Sequence, residues 1–175
     1  MLFRSSVYAD LKNTSGADGS LTKSATFLNE FVTKPWVHLD IAGTAYFAKP
    51  NPWAAAGATG VSHAMLVELA LAGAEAFVVP AGFTMATGRD HWEVLLRARA
   101  IENAAYVIAA NQHGFWDGSA RYARSMIIDP WGVVLANAGD GEGICVAAID
   151  RARVAEVRRL IPVFSARRPE AYRLG

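Results

Sequence analysis

Apolar residues recur at helical spacing through Leu21, Ala25, Leu28 and Val32, with Phe27 and Phe31 widening the face, and Lys34-Pro35 ends the run. From Trp36 to Ile41 the period drops to two. Val37, Leu39 and Ile41 alternate with Trp36, His38 and Asp40, which predicts a short strand. Residues 42–60 hold Pro50, Pro52 and the run Gly57-Ala58-Thr59-Gly60, and read as loop. A helix is expected over about Ser62–Ala72, stopped by Gly73, a residue suited to a left-handed C-cap.

The second part of the chain alternates strands and helices. Ala76–Pro80 is an unbroken apolar run, predicted to be a strand buried on both faces. A helix is predicted over about Asp90–Asn103, with Trp92, Leu95, Leu96, Ala98 and Ile101 apolar, followed by a buried strand over Tyr106–Ala110. Ser125–Ile128 and Val133–Ala136 read as strands joined by Asp129-Pro130-Trp131-Gly132, a turn with Pro early and Gly late. Gly139-Asp140-Gly141-Glu142-Gly143 predicts a second tight turn leading into a strand over Ile144–Ile149. Asp150 is placed to cap a last helix that buries Val154, Val157 and Ile161 and stops at Pro162. The pattern predicts an α/β fold, a layered sheet-and-helix sandwich.

Composition narrows the functional classes. The 175 residues are 53% hydrophobic and 19% charged, enough apolar material for a buried core. Seventeen basic against sixteen acidic residues leave a net charge of +1, with no field for gathering phosphates, so nucleic acid is not expected as a partner. The most apolar window, Leu69–Gly88, contains Glu75 and Pro80 and is expected to be core, not membrane. With no basic stretch leading into an apolar one at the start, the expected location is the cytoplasm. A single cysteine, Cys145, excludes an internal disulfide. All four lysines lie within the first 49 residues, whereas every basic residue from Arg89 onward is arginine. Such a shift suggests two segments with different histories.

Each candidate for chemistry has a structural explanation. His38 and Asp40 share a strand face but lack a third ligand nearby, so a hydrogen-bonded pair is expected and no metal is assigned. Asp90, His91 and Glu93 are explained by acids favouring a helix start. The Gly139–Gly143 run lies between strands, which makes it a turn, not a phosphate cradle. Cys145, inside an apolar strand without a neighbouring base, is expected to be an inert thiol. The arginines at 151, 153, 158, 159, 167, 168 and 173 alternate with acids and predict a solvated helix face with a subunit contact.

Two stretches resemble known families. Ala9-Asp-Leu-Lys-Asn13, Ala25-Thr-Phe-Leu28 with Phe31-Val32, Pro35-Trp-Val-His-Leu-Asp-Ile-Ala-Gly-Thr44, Gly57-Ala-Thr-Gly60 and Leu66-Val-Glu-Leu69 resemble the C-terminal end of the leucyl (cytosol) aminopeptidase family. The resemblance implies a hexameric hydrolase with two divalent metals. The family's metal-binding carboxylates, lysine and arginine belong to an upstream motif that this sequence lacks. Only a pocket wall near Ala42 and Ala45 could carry over, and Lys23-Ser24 and His63-Ala64 depart from the pattern.

Leu71-Ala-Gly-Ala-Glu75, Val79-Pro-Ala-Gly-Phe83, His91-Trp-Glu-Val-Leu-Leu-Arg-Ala-Arg-Ala-Ile-Glu-Asn103, Ala110-Asn-Gln112, Ser125-Met-Ile-Ile-Asp-Pro-Trp-Gly132 and Pro162-Val-Phe to Arg167-Arg-Pro169 resemble the C-terminal half of a nitrilase-type carbon–nitrogen hydrolase. That resemblance implies half of an α-β-β-α sandwich. It also implies amide or nitrile hydrolysis by a Glu–Lys–Cys constellation. The nucleophile would fall near Gly57, where the sequence is aminopeptidase-like, and no lysine follows Lys49. Pro80 and Phe83 are the pocket residues that could carry over.

The chain therefore reads as residues 1–68 from one family and 69–175 from the other, meeting between Met65 and Glu75. No catalytic residue, metal or cofactor is assigned. The leading expectation is a hydrolase-family hybrid that is inactive alone. The alternatives are an amidase completed by a partner chain and a non-catalytic interaction module. Apolar strand faces left uncovered by the missing half would favour a homo-oligomer.

Overall fold

The computed structural model describes residues 57–58, 61–116, 118–168 and 171, preceded by Asn29, Thr33, Tyr46, Phe47, Lys49 and Pro50. The helix read through Leu21–Val32, of which only Asn29 is described and is helical, and the strand at Trp36–Ile41 lie outside these residues. The chain divides into two compact units, Met1–Ser62 and His63–Gly175. In the first, β1 (Tyr46–Phe47) pairs antiparallel with β2 (Gly57–Ala58). The expectation of plain loop over 42–60 is corrected to this short ladder, too brief for an alternating pattern to announce it.

The helix α1 (Val61–Leu71), which enters the second unit at His63, ends where Gly73 turns to φ +104°. There the Gly73 N–H donates to the Ala70 carbonyl and the Ala74 N–H to that of Leu69. These bonds satisfy carbonyls that the helix end leaves open. β3 (Ala76–Ala81) then runs parallel to β4 (Tyr106–Asn111), and the crossover between them is helical. It begins at Met85–Thr87 (α2), loosens into a π-helical turn over Gly88–Trp92, and continues as α3 (Glu93–Asn103). Asp90 is therefore inside the helical segment, not at its start. Gly88 resembles a helix breaker in sequence, yet here its missing Cβ makes room for Tyr122.

β4 also pairs antiparallel with β7 (Met126–Ile128), and β7 with β8 (Val134–Asn137), giving the order β3-β4-β7-β8. The β7–β8 turn is held by Asp129, whose Oδ1 accepts from the N–H groups of Trp131 and Val133 at 3.0 and 2.8 Å. Gly132 supplies the left-handed residue at φ +88°. A separate hairpin, β5 (His113–Trp116) with β6 (Ser119–Tyr122), was not anticipated, although Asp117-Gly118 is a strong hairpin dipeptide.

One face of the sheet is the core. Val107, Ala109, Met126 and Ile128 pack with Trp92, Leu96 and Ala100 of the crossover helix. The other face is open at β3, where Val78 is 68% exposed and Ala76 and Pro80 are also exposed. Burial of β3 on both faces is thus corrected: helices cover one side of the strand only.

The chain after Gly143 departs further from expectation. Ile144–Ile149 forms no strand, and Ile144 and Val146 are 90% and 82% exposed. Alternation suits a strand, but a strand exists only with a neighbour to bond, and none of the described residues supplies one. Asp150 does cap α4 (Arg151–Leu160), its side chain accepting from the Ala152 N–H at 2.8 Å, and Val154 and Val157 are buried. No helix among the described residues is long and apolar enough to cross a membrane.

Candidate functional site

β3 and β4 are parallel, so their carboxyl ends open on the same side, the position where α/β sheets present ligand crevices. A shallow concavity of about 550 Å³ lies there, lined by Pro80, Ala81 and Gly82 from β3 and by Ala110, Asn111 and Gln112 from β4. Of the sequence candidates, Pro80 lines it. Phe83 turns toward the core, its ring 5.0 Å from that of Trp92. Ala42, Ala45, His38 and Asp40 lie outside the described residues.

Asn111 organises this end of the sheet. Its Oδ1 accepts from the N–H groups of Phe83 and Gln112 at 3.0 and 3.1 Å. Its Nδ2 donates to the Ala123 carbonyl at 2.6 Å, and its own N–H donates to Ser125 Oγ at 3.0 Å. One amide thus ties the exit of β3 to the segment following β6. That segment holds two consecutive left-handed residues, Ala123 and Arg124, both at φ +59°. Non-glycine residues adopt this conformation at a cost, so the surroundings must enforce it. They do so at every polar group. The Ala123 N–H donates to the Gln112 carbonyl and the Arg124 N–H to that of Gly139, while Trp92 Nε1 donates to the Arg124 carbonyl at 2.8 Å.

Charge around the concavity is sparse. Arg124 is paired bidentately with Asp140 at 2.5 and 3.0 Å, and that hydrogen bond, with Tyr122 nearby, pushes its guanidinium above the ordinary arginine value. Arg121 reaches the Gly82 carbonyl through Nη1 at 3.4 Å. Asn111, Gln112 and Arg121 escaped sequence reasoning as site residues. The abrupt change from the apolar run Tyr106–Ala110 to Asn-Gln was the available signal.

The other candidates do not converge. Asp90 pairs with Arg89, and Glu93 with Arg97, leaving His91 exposed. Cys145 is half-buried on an unpaired extended segment, which corrects its expected place inside a strand. Of the described arginines after 150, Arg151, Arg153, Arg158 and Arg167 are held within the chain. Arg151 is held by Glu75, Arg153 by Asp129 and Glu156, and Arg167 by Glu68. Arg158 bonds the carbonyls of Ala104 and Ala74 at 3.2 and 2.6 Å. A second concavity of about 570 Å³ lies on the outer face of α4, bounded by Asp150, Arg153, Glu156 and Arg159. Among the described residues, no three His, Cys, Asp or Glu side chains gather into a metal site.

The model of the cytosol aminopeptidase family catalytic domain matches residues 2–67, and that of the carbon-nitrogen hydrolases matches residues 59–159, so the two overlap on α1. Deaminated glutathione amidase of Rattus norvegicus is 50% identical over 107 residues, 61% of this chain and 33% of that protein. Omega-amidase NIT2 of Bos taurus is 42% identical over 103 residues, 57% of this chain and 37% of that protein. The crystal structure of the C. elegans NitFhit protein matches with a TM-score of 0.60 at 43% identity, covering 62% of this chain and 27% of that one. The chain spans about a third of the length of the curated relatives it matches. On the match over residues 59–159, the chain belongs to the carbon-nitrogen hydrolase family.

Proposed function

We propose that this chain is the pocket-wall half of an amide-cleaving carbon–nitrogen hydrolase, fused between Met65 and Glu75 to an aminopeptidase-like segment, and inactive on its own. The observation that carries this reading is the lining of the strand-end concavity. Pro80, Ala81, Gly82, Ala110, Asn111 and Gln112 offer shape and amide hydrogen bonding, but no thiol, amine or carboxylate able to attack or transfer a proton. The absence of lysine after Lys49 points the same way. The relatives named as amidases support an amide as the ligand class. Ammonia release from simple aliphatic amides and from amide-bearing acids is the test. The purified chain is expected to give none; turnover by it, whether or not it survives Cys145→Ala, would reject the reading.

The exposed Val78 face of β3 and the unpaired Ile144–Ile149 segment favour a second reading, in which another chain supplies both the missing sheet and the reacting groups. Mixing the chain with a polypeptide carrying the first two-thirds of bovine omega-amidase NIT2 would then restore ammonia release.

A further inference from the structure

Residues 144–149 have the habit of a strand without a sheet. Their burial alternates: Cys145 and Ala147 are half-buried, while Ile144, Val146 and Ala148 stand in solvent. None of their backbone N–H or carbonyl groups makes a hydrogen bond among the described residues. Both ends are tied down. Before the segment, Arg124 pairs with Asp140 and donates its N–H to the Gly139 carbonyl; after it, the Asp150 N–H donates to Tyr106 Oη at 3.1 Å. A tethered, extended segment has less freedom left to lose on binding. Its open row of donors and acceptors is a template for another strand.

Charge selects the occupant and its direction. A net charge of +1 leaves copies of this chain free to approach one another. The segment itself is uncharged, with Glu142 before its start and Arg151 just past its end. A parallel copy would set Glu142 beside Glu142 and Arg151 beside Arg151. An antiparallel copy instead carries the acid of each chain toward the arginine end of the other. The register follows from the same rule. With Val146 opposite itself, Glu142 would face Asp150 of the second copy, and like charges directly opposite are unfavourable. With the centre one residue back, Cys145 lies opposite itself, Ile144 opposite Val146, and Glu142 opposite Ala148.

We propose that residues 144–149 are the contact through which two copies of this chain pair, as antiparallel strands centred on Cys145. The two-fold relation sets the Ile144 of each copy against the Val146 of the other on the solvent face, and makes the contact isologous.

The single cysteine is a built-in reporter of this register. Residues directly opposite have Cα atoms about 4.5–5.5 Å apart, within reach of a disulfide. The two copies of residue 147 would instead be offset by about 13 Å along the strands. Sedimentation velocity of the full chain is expected to show a dimer whose share rises with concentration. Under copper–phenanthroline in air, Cys145 should cross-link at least about tenfold faster than a Cys145→Ala/Ala147→Cys variant, which dimerises as the parent does but lacks the reach. A chain that is monomeric at every concentration overturns the proposal. So does a dimer in which Cys145 fails to cross-link, or in which the Ala147→Cys variant cross-links as fast. A chain that stays alone yet joins a polypeptide carrying the first two-thirds of bovine omega-amidase NIT2 would assign the segment to a different partner, and overturns it too.

Discussion

Asn111 holds Phe83 by its backbone: the Phe83 N–H donates to Asn111 Oδ1 at 3.0 Å across 28 residues of sequence. The same side chain donates to Ala123, so a single amide connects the end of β3 with the left-handed pair after β6. Asn111→Ala strips partners from half-buried backbone groups and is expected to cost about 2 kcal/mol, read from urea unfolding. Asn111→Asp keeps both accepting roles but sets a carboxylate against the Ala123 carbonyl. A protonated carboxyl can donate to that carbonyl, so the deficit of this variant should shrink as pH falls. A deficit independent of pH would contradict the assignment.

Gly88 is required for room, not for flexibility. A Cβ there would lie 2.3 Å from Tyr122 Cβ and 2.4 Å from its Cγ. Gly88→Ala should lower stability by about 1–3 kcal/mol through overpacking. Gly141, with nothing within 4 Å of its would-be Cβ, is the control, and Gly141→Ala should stay within about 0.5 kcal/mol. Thermal melts of the two variants test the contrast.

Arg158 closes two helix ends at once. It donates to the carbonyls of Ala104, which caps α3, and of Ala74, just beyond α1, while standing 5.1 Å over the Phe164 ring. Burial pulls its guanidinium below the ordinary arginine value, yet an arginine stays charged at neutral pH. Lysine presents a point charge that cannot span both carbonyls, so Arg158→Lys is expected to cost about 1–2 kcal/mol. Equal denaturation midpoints for the two proteins would show that the fork geometry is dispensable.

Cys145 should be open to reagents and dispensable. Half-buried on an unpaired segment, it is expected to titrate as one reactive thiol in the folded chain with a disulfide reagent. Cys145→Ala should leave stability within about 1 kcal/mol and any complemented amidase activity intact. A thiol that reacts only after denaturation would place it in a closed core instead.

Among the described residues, Ile144 and Val146 are the large apolar side chains most exposed, at 90% and 82%. Bare apolar alternation on an extended segment invites pairing between chains. Ile144→Lys combined with Val146→Lys is expected to shift sedimentation toward the monomer without lowering the unfolding midpoint.

What was legible in the sequence was what neighbouring residues decide among themselves. The stop at Gly73, the cap at Asp150 and the turn Asp129–Gly132 each rest on a side chain or a φ value within a few positions. The β3 and β4 runs were legible because apolar continuity marks strands of a parallel pair. Ile144–Ile149 was misread because alternation describes a strand's faces and says nothing about whether a neighbour exists. The helix start was misplaced because Thr84 makes no side-chain cap bond to announce it. As for the site, Pro80 and Phe83 came from family resemblance. Gln112 and Arg121 meet at Gly82 only through the β5–β6 fold-back, a relationship that spacing along the chain does not carry.

Pro80 gives β3 a last property. The strand is the outermost of its sheet among the described residues, and its pairing with Ala110 places proline one step from its end. Proline has no N–H, so a newcomer laid along that border would find a missing donor beside the concavity. Growth of the sheet past β3 is thereby discouraged at its carboxyl end and left to the Ala76 end. The proline that lines the strand-end concavity thus also discourages a foreign strand from pairing beside it.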